Sequence, residues 1–220
     1  MPRIFAIGDI HGCSKTFKKL MDKISIQKKD KIYCIGDYID RGNDSKGVVD
    51  FILKLRSKGY QIRTLRGNHE EMMMISDQDE IKFKHWFKNG GEATLKSFGI
   101  SSYKDLKPVY KNFFNRTKFI IQTSKFIFVH AGLNTQMPNP FEDKYAMLWI
   151  RDFTIDKHKL GNKILIHGHT PQPLDFILNQ QVNNVINIDA GCVFKHREDM
   201  SCLIALNLNE RKFIYTKNID

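Results

Sequence analysis

The sequence predicts a mixed α/β fold in which two β-sheets pack face to face and helices lie outside them. Three observations predict it. The N-terminal part alternates short apolar runs with segments of helical period, the middle is mostly helical, and the rest is rich in short strands. No repeat, low-complexity tract or linker interrupts the chain, so residues 1–220 are expected to form a single domain.

The elements follow in order. Residues 3–9, RIFAIGD, read as a short buried strand, and Phe17, Leu20, Met21 and Ile24 then recur at helical spacing. KIYCIGD, residues 31–37, is the second strand. Val48, Val49, Ile52, Leu53 and Leu55 mark a second helix that ends near Gly59. YQIRTLRGN, residues 60–68, is the third strand. Strand–helix–strand–helix–strand implies a parallel sheet with right-handed crossovers. From Glu70 to about Asn115 the pattern is helical, broken near Asn89–Gly91 and at Gly99. Six strands then follow: KFIIQTS, KFIFVHAG, KILIHGHT, NVINIDAG, MSCLIALNLN and KFIYTKN. Short turns at Thr123–Lys125 and Asn209–Arg211 predict antiparallel pairs.

At 41% hydrophobic and 27% charged residues the composition is that of a globular protein. No apolar run reaches the roughly 20 residues of a membrane span, and the N-terminus carries no apolar h-region or cleavage site. A cytoplasmic protein with no membrane partner is expected. Cys13, Cys34, Cys192 and Cys202 have no CxxC spacing, and Cys34 and Cys202 sit in apolar runs, so all four read as buried reduced thiols. The net charge of +11 comes from lysines spread along the chain. They form a solvated surface that draws in a phosphorylated substrate, and nucleic acid is not expected as a partner.

Five polar clusters each follow an apolar run directly: GDIHG (8–12), GDYIDRG (36–42), RGNHE (66–70), HAGL (130–133) and HGHT (167–170). Open α/β sheets bind ligands beyond the carboxyl ends of their strands. Asp9, His11, Asp37, Asn68, His130 and His169 offer carboxylates, imidazoles and an amide but no thiolate, a set suited to Mn²⁺, Fe or Zn²⁺. Two such cations about 3.5–4 Å apart form a clamp for displacement at phosphorus, and a carboxylate can bridge them.

Taken together, the ordered clusters resemble the metallophosphoesterase superfamily. Within it they resemble the phosphoprotein phosphatase family in its small bacterial and phage-type form. GDIHG, GDYIDRG and RGNHE match the first three motifs nearly letter for letter, HAGL and HGHT supply the other two, and NIDAGCVF is also similar. The resemblance implies a calcineurin-like metallophosphoesterase fold and two divalent ions, Mn²⁺ foremost. It implies that Asp9 and His11 bind one metal, that Asp37 bridges, and that Asn68, His130 and His169 complete the second. His69 would be the general acid with Asp40 as its partner, and Arg41 and Arg151 would hold the substrate phosphate.

The residue chemistry agrees with that division. Asp37 and Asp40 follow a strand in a turning loop, so one can face the metals while the other reaches a neighbour. A carboxylate beside His69 favours the protonated imidazole that donates to a leaving alkoxide. Arg41 offers a planar fork of donors for phosphate. The expected reaction is direct in-line attack by a dimetal-bridging hydroxide on phosphoserine or phosphothreonine, with phosphotyrosine also accepted. The rival expectation is a symmetrical bis(5'-nucleosyl)-tetraphosphatase, which HGHTP and NIDAG also resemble. A nonenzymatic metal- or phosphate-binding scaffold is a third.

Other residues carry weaker expectations. Strand alternation puts His167 and His169 on one face; His167 is an extra ligand or phosphate contact on one reading, and a supporting or core histidine on the other. His85, His158 and His196 read as solvated, and Met72–Met74 as a buried helix face. Lys195–Glu198 stand where many similar chains carry paired glycines, which leaves the leaving-group preference open.

Overall fold

The computed structural model describes residues 2–220. Ten strands and eight α-helices form in the order β1 (Ile4–Ile7), α1 (Ser14–Lys23), β2 (Lys31–Cys34), α2 (Ser45–Ser57), β3 (Gln61–Thr64), α3 (Asn68–Ile75), α4 (Glu80–Trp86), α5 (Glu92–Phe98), α6 (Pro108–Asn115), β4 (Ile120–Gln122), β5 (Phe126–Val129), α7 (Lys144–Trp149), β6 (Ile164–His167), α8 (Leu174–Leu178), β7 (Val185–Asn187), β8 (Asp189–Ala190), β9 (Cys202–Asn207) and β10 (Lys212–Lys217). One sheet runs β10-β9-β1-β2-β3, with β8 added beside β9, and the other runs β4-β5-β6-β7. β1, β2 and β3 are parallel, as the crossover helices require.

Alternation along the strands decides the layers. Phe5 and Ile7 of β1 and Ile32 and Cys34 of β2 face α1 and α2, where Phe17, Leu20, Val48 and Ile52 bury against them. Ala6, Tyr33 and Ile35 face the other way and meet Phe126, Phe128 and Ile166 of the second sheet. The Tyr33 and Phe128 rings stack at 4.1 Å across that gap. On the outer face of the second sheet Ile127, Val129 and Leu165 pack on Met147 of α7. Strands covered on both faces explain the continuous apolar runs, and each fully buried side chain contributes about 1.5–3 kcal/mol.

The predicted antiparallel pairs form where tight turns join β4 to β5 and β9 to β10, while β5, β6 and β7 are parallel, so the second sheet is mixed. Their connections are long and pass through α7 and α8, so the chain returns to the same sheet edge before each new strand. NVINIDAG, expected as one strand, is two. β7 pairs with β6 in the second sheet, and β8 pairs with β9 in the first. Ile188 lies at the crossing, and its carbonyl oxygen is where a Cβ on Gly8 would be, 2.2 Å away.

The helical middle breaks where expected. Gly90 has φ 104° within a π-helical stretch between α4 and α5, and Gly99 caps α5 in the left-handed conformation. All four cysteines are free and buried. His85, His158 and His196 are exposed, whereas Met72 and Met73 are buried. Among the described residues no helix is long and apolar enough to cross a membrane.

Candidate metal centre

Three loops after parallel strands build the floor of the site. After β1 the chain turns through His11 (φ 45°) and Gly12 (φ 65°). After β2 it turns through Gly36 (φ 111°), Asp37 (φ 51°), Asp40 (φ 70°) and Arg41 (φ 66°). Four non-glycine residues thus hold left-handed backbone, which costs about 1–2 kcal/mol each and persists only where the surroundings impose it. Here the surroundings are hydrogen bonds. Ile10 and His11 both donate their N–H to the Asp37 carbonyl, at 3.0 and 2.8 Å.

After β3 the chain enters α3 at once. Glu70, in its first turn, accepts from Gly67 N at 2.9 Å, from Asp37 N at 2.8 Å and from Tyr38 N at 2.8 Å. One buried carboxylate therefore caps its own helix and ties down the neighbouring loop. Burial and the charge of Asp37 push its pKa up to about 8, against the pull of those three donors. Asp37 Oδ1 accepts from His69 N at 3.2 Å, so the two loops grip each other from both sides.

Gly36 is the tightest point of this assembly. A Cβ there would lie 2.7 Å from Gly67 N and 2.9 Å from His130 Nδ1. Gly36→Ala is therefore expected to lower Tm by at least ~4 °C, from a left-handed penalty of about 1–2 kcal/mol and the added backbone contact. Calorimetry on the two proteins checks this; an unchanged Tm would mean that the loop has room to move.

The remaining loops bring histidines over this floor. His130, after β5, donates Nδ1–H to the Ile35 carbonyl at 3.0 Å, so its Nε2 carries only a lone pair. That lone pair lies 2.9 Å from Asn68 Oδ1 and 3.5 Å from Asp37 Oδ2. His11 likewise donates Nδ1–H to the Ile39 carbonyl at 2.8 Å and sets Nε2 at 3.3 Å from the same Asp37 oxygen. His169 stands 2.9 Å from Asn68 Oδ1, and its backbone N donates to Asp9 Oδ2 at 3.1 Å. Acceptors thus crowd against acceptors, an arrangement that a cation between them relieves.

Two further atoms need such a partner. Asp9 Oδ1 and His169 Nε2 are buried and without a hydrogen bond. Burial, followed by the charges of Asp189 and Asp37, pushes Asp9 well above the usual carboxylate range. Burial lowers His11 to about 4 and His169 to about 3, which keeps both imidazoles neutral and able to ligate at neutral pH. Burial also raises Asp37, but His130, His69 and His11 around it hold it well below the ordinary value. Two triads have ligand atoms close enough to share one ion: His11, Asp37 and His69, and Asp37, His130 and His169. Asp37 belongs to both. The residues fit two divalent cations.

His69 belongs to the first triad and also pairs with Asp40, whereas Asp9 is in neither triad. His69 Nδ1 is 2.7 Å from Asp40 Oδ2. Trp86 Nε1 donates to the same oxygen at 2.9 Å, and Thr94 Oγ1 to the other at 2.6 Å. Arg41 Nη1 lies 2.8 Å from His11 Nε2, with its guanidinium 5.7 Å from the ring of Phe194. Its backbone N donates to Gly90 O at 3.2 Å, so the helix break fixes the arginine's position. Arg151 is exposed and reaches His169 O at 3.4 Å. Lys195–Glu198 are exposed just beyond Phe194.

His167 departs from expectation. β6 ends at His167, Gly168 follows, and His169 has φ 68°, so strand alternation stops and the two imidazoles diverge. His167 is buried edge-on to Phe153 at 5.3 Å and belongs to neither triad. The sequence reading also missed Glu70, Trp86 and Thr94. Glu70 was findable as the helix-capping acid three residues after Gly67. Trp86 and Thr94 carry no local signal, because tertiary packing alone aims them at Asp40.

A two-sheet α/β sandwich with buried histidines and carboxylates at its strand ends defines a metal-dependent phosphoesterase. The chain belongs to the calcineurin-like phosphoesterase family, whose model matches residues 2–205. It is 25% identical to the asymmetrical bis(5'-nucleosyl)-tetraphosphatase PrpE of Oceanobacillus iheyensis, over 96% of this chain and 91% of that protein. It is 28% identical to serine/threonine-protein phosphatase 1 of Salmonella typhimurium, over 87% of each chain. Among solved structures, one provisionally assigned as a diadenosine tetraphosphatase superposes with a TM-score of 0.71 at 18% identity, covering 100% of this chain and 97% of that one.

Proposed function

We propose that this protein hydrolyses bis(5'-nucleosyl)-tetraphosphates, with residues 1–220 acting as one catalytic domain. The observation that carries this reading is the similarity to a tetraphosphatase along 96% of the chain. It replaces the phosphoprotein reading as the leading one. The bound metals, most simply manganese, would lower the pKa of water and neutralise charge developing on the phosphoryl oxygens.

The protein's own groups have distinct tasks in this reading. Asp9 and His11 would hold one cation, Asn68, His130 and His169 the other, and Asp37 would serve both. Were His11 Nε2 to hold a cation, the Arg41 guanidinium that now contacts that nitrogen would be free for an anionic ligand. Arg41 and Arg151 then hold the phosphoryl group. Water oxygen bonds to phosphorus and gives up a proton to solvent while the bridging P–O bond breaks in line with it. The leaving nucleotide carries away the bond's electron pair, and His69, oriented by Asp40, can supply its proton.

A second reading, phosphoserine and phosphothreonine hydrolysis with phosphotyrosine also accepted, is favoured by the similarity to the Salmonella phosphatase. Manganese-loaded protein offered diadenosine tetraphosphate and phosphoserine, phosphothreonine and phosphotyrosine peptides, with products separated, decides between them. The expected result is turnover of the dinucleotide at least ~10-fold above the peptides in kcat/KM, about 1.4 kcal/mol of preference. Two ADP, or ATP with AMP, then report which bridge breaks. Peptide turnover without dinucleotide cleavage would reverse the order of the two readings.

A further inference from the structure

We propose that a cavity beside the metal centre receives the nucleobase of the substrate. This rests on the reading of the substrate as a nucleotide. The cavity measures about 270 Å³, and its walls include Arg151, Phe153, His167, Phe176, Gln180 and Asn187. That is room for a base, and too little for a whole dinucleotide.

Gln180 points to a ligand. It is 6% exposed, and its Oε1 accepts from Asn187 N at 2.9 Å. That bond fixes which way the amide faces, because a backbone N–H needs an acceptor. Nε2 is left buried with no hydrogen-bond partner. The neighbouring amide is fully used: Asn187 Nδ2 donates to Thr170 O at 2.8 Å, and its Oδ1 accepts from Asp189 N at 2.8 Å. Gln180 therefore brings two unspent N–H donors to a cavity wall.

The other walls are mostly ring faces. His167 Nδ1 donates to Gly168 O at 3.2 Å, and the ring also lies against the Ala131 carbonyl. Phe153 meets the His167 ring edge-on. Phe176, on the first turn of α8, is 58% exposed and offers its ring to a flat partner. Adenine offers such a plate, with an exocyclic amine that donates beside ring nitrogens that accept. Gln180 Nε2 has the polarity that such a ring nitrogen needs. A phosphoserine or phosphothreonine side chain has no group to place here. Arg151 lines this cavity and also reaches the His169 carbonyl, so a phosphate at the metal centre and a base in the cavity share one guanidinium.

The test is calorimetric titration of AMP and of inorganic phosphate into manganese-loaded protein, alongside diadenosine tetraphosphate turnover. Gln180→Glu keeps the oxygen that Asn187 N needs and replaces the donors. Phe176→Ala removes an exposed ring at little risk to folding. The wild type is expected to bind AMP at least ~10-fold tighter than inorganic phosphate, and each substitution should cut that ratio to below ~3-fold. No AMP preference in the wild type, or a preference that survives both substitutions, would overturn the proposal. The two readings fail separately. Cleavage of the dinucleotide without an AMP preference sinks the base site alone. An AMP preference lost in both variants, in a protein that leaves the dinucleotide intact, supports the base site and sinks the proposed activity.

Discussion

Asp37→Asn is expected to strip the centre of metal, whereas His69→Asn should keep the metal and lose turnover. Asp37 Oδ2 stands between His11 Nε2 at 3.3 Å and His130 Nε2 at 3.5 Å, and the residue belongs to both triads. An amide there removes a negative charge that two cations would share. Loss of metal affinity should exceed the ~10–100-fold typical of an outer-shell partner. His69 is held through Nδ1 by Asp40, so its substitution should leave metal content within about twofold and cut kcat by ~10²–10⁴-fold. The loss should be largest for alkoxide leaving groups and smaller for a nucleotide, which departs as a stable anion. Metal analysis by plasma emission together with kcat on both substrate types checks this. Equal metal loss in the two variants would contradict the division of roles.

Asp40→Ala is expected to cost both stability and rate. Asp40 is fully buried, and His69, Trp86 Nε1 and Thr94 Oγ1 all converge on its carboxylate. Alanine leaves these buried groups without their acceptor, at about 1–3 kcal/mol each, so a Tm fall of several degrees is expected. Asp40→Asn keeps the shape and one acceptor oxygen while placing an NH₂ in the group. It should fold, hold metal at the wild-type level and lose at least ~10²-fold in kcat, because His69 is no longer held in one tautomer and direction. Thermal melts, metal content and kcat for the two variants separate the effects. An Asp40→Asn protein with wild-type kcat would show that the pair is structural only.

The strand-end loops were legible because each is a short polar cluster directly after an apolar run. Their side chains converge because β1, β2 and β3 are parallel and deliver three loops to one edge. His167 kept two readings for a physical reason: alternation predicts direction only while backbone stays extended, and His169 is left-handed. The split of NVINIDAG was hidden because Ile186, Ile188 and Ala190 bury in the same layer between the sheets. Trp86 and Thr94 act on Asp40 from 46 and 54 residues away, and composition and period say nothing of such pairings.

The Glu70 clamp has a consequence for assembly. Its carboxylate ties Asp37 and Tyr38 to Gly67, so the floor exists only once β2 and β3 lie side by side. His130 and His169 arrive from the second sheet, after a further long stretch of chain. No local segment can therefore capture a metal pair while the rest is unfolded. Cation uptake becomes a report on the finished sandwich, and each ion bound to the folded state alone shifts the unfolding equilibrium by mass action. Chelation should then loosen the whole molecule, far beyond the loops that touch the ions.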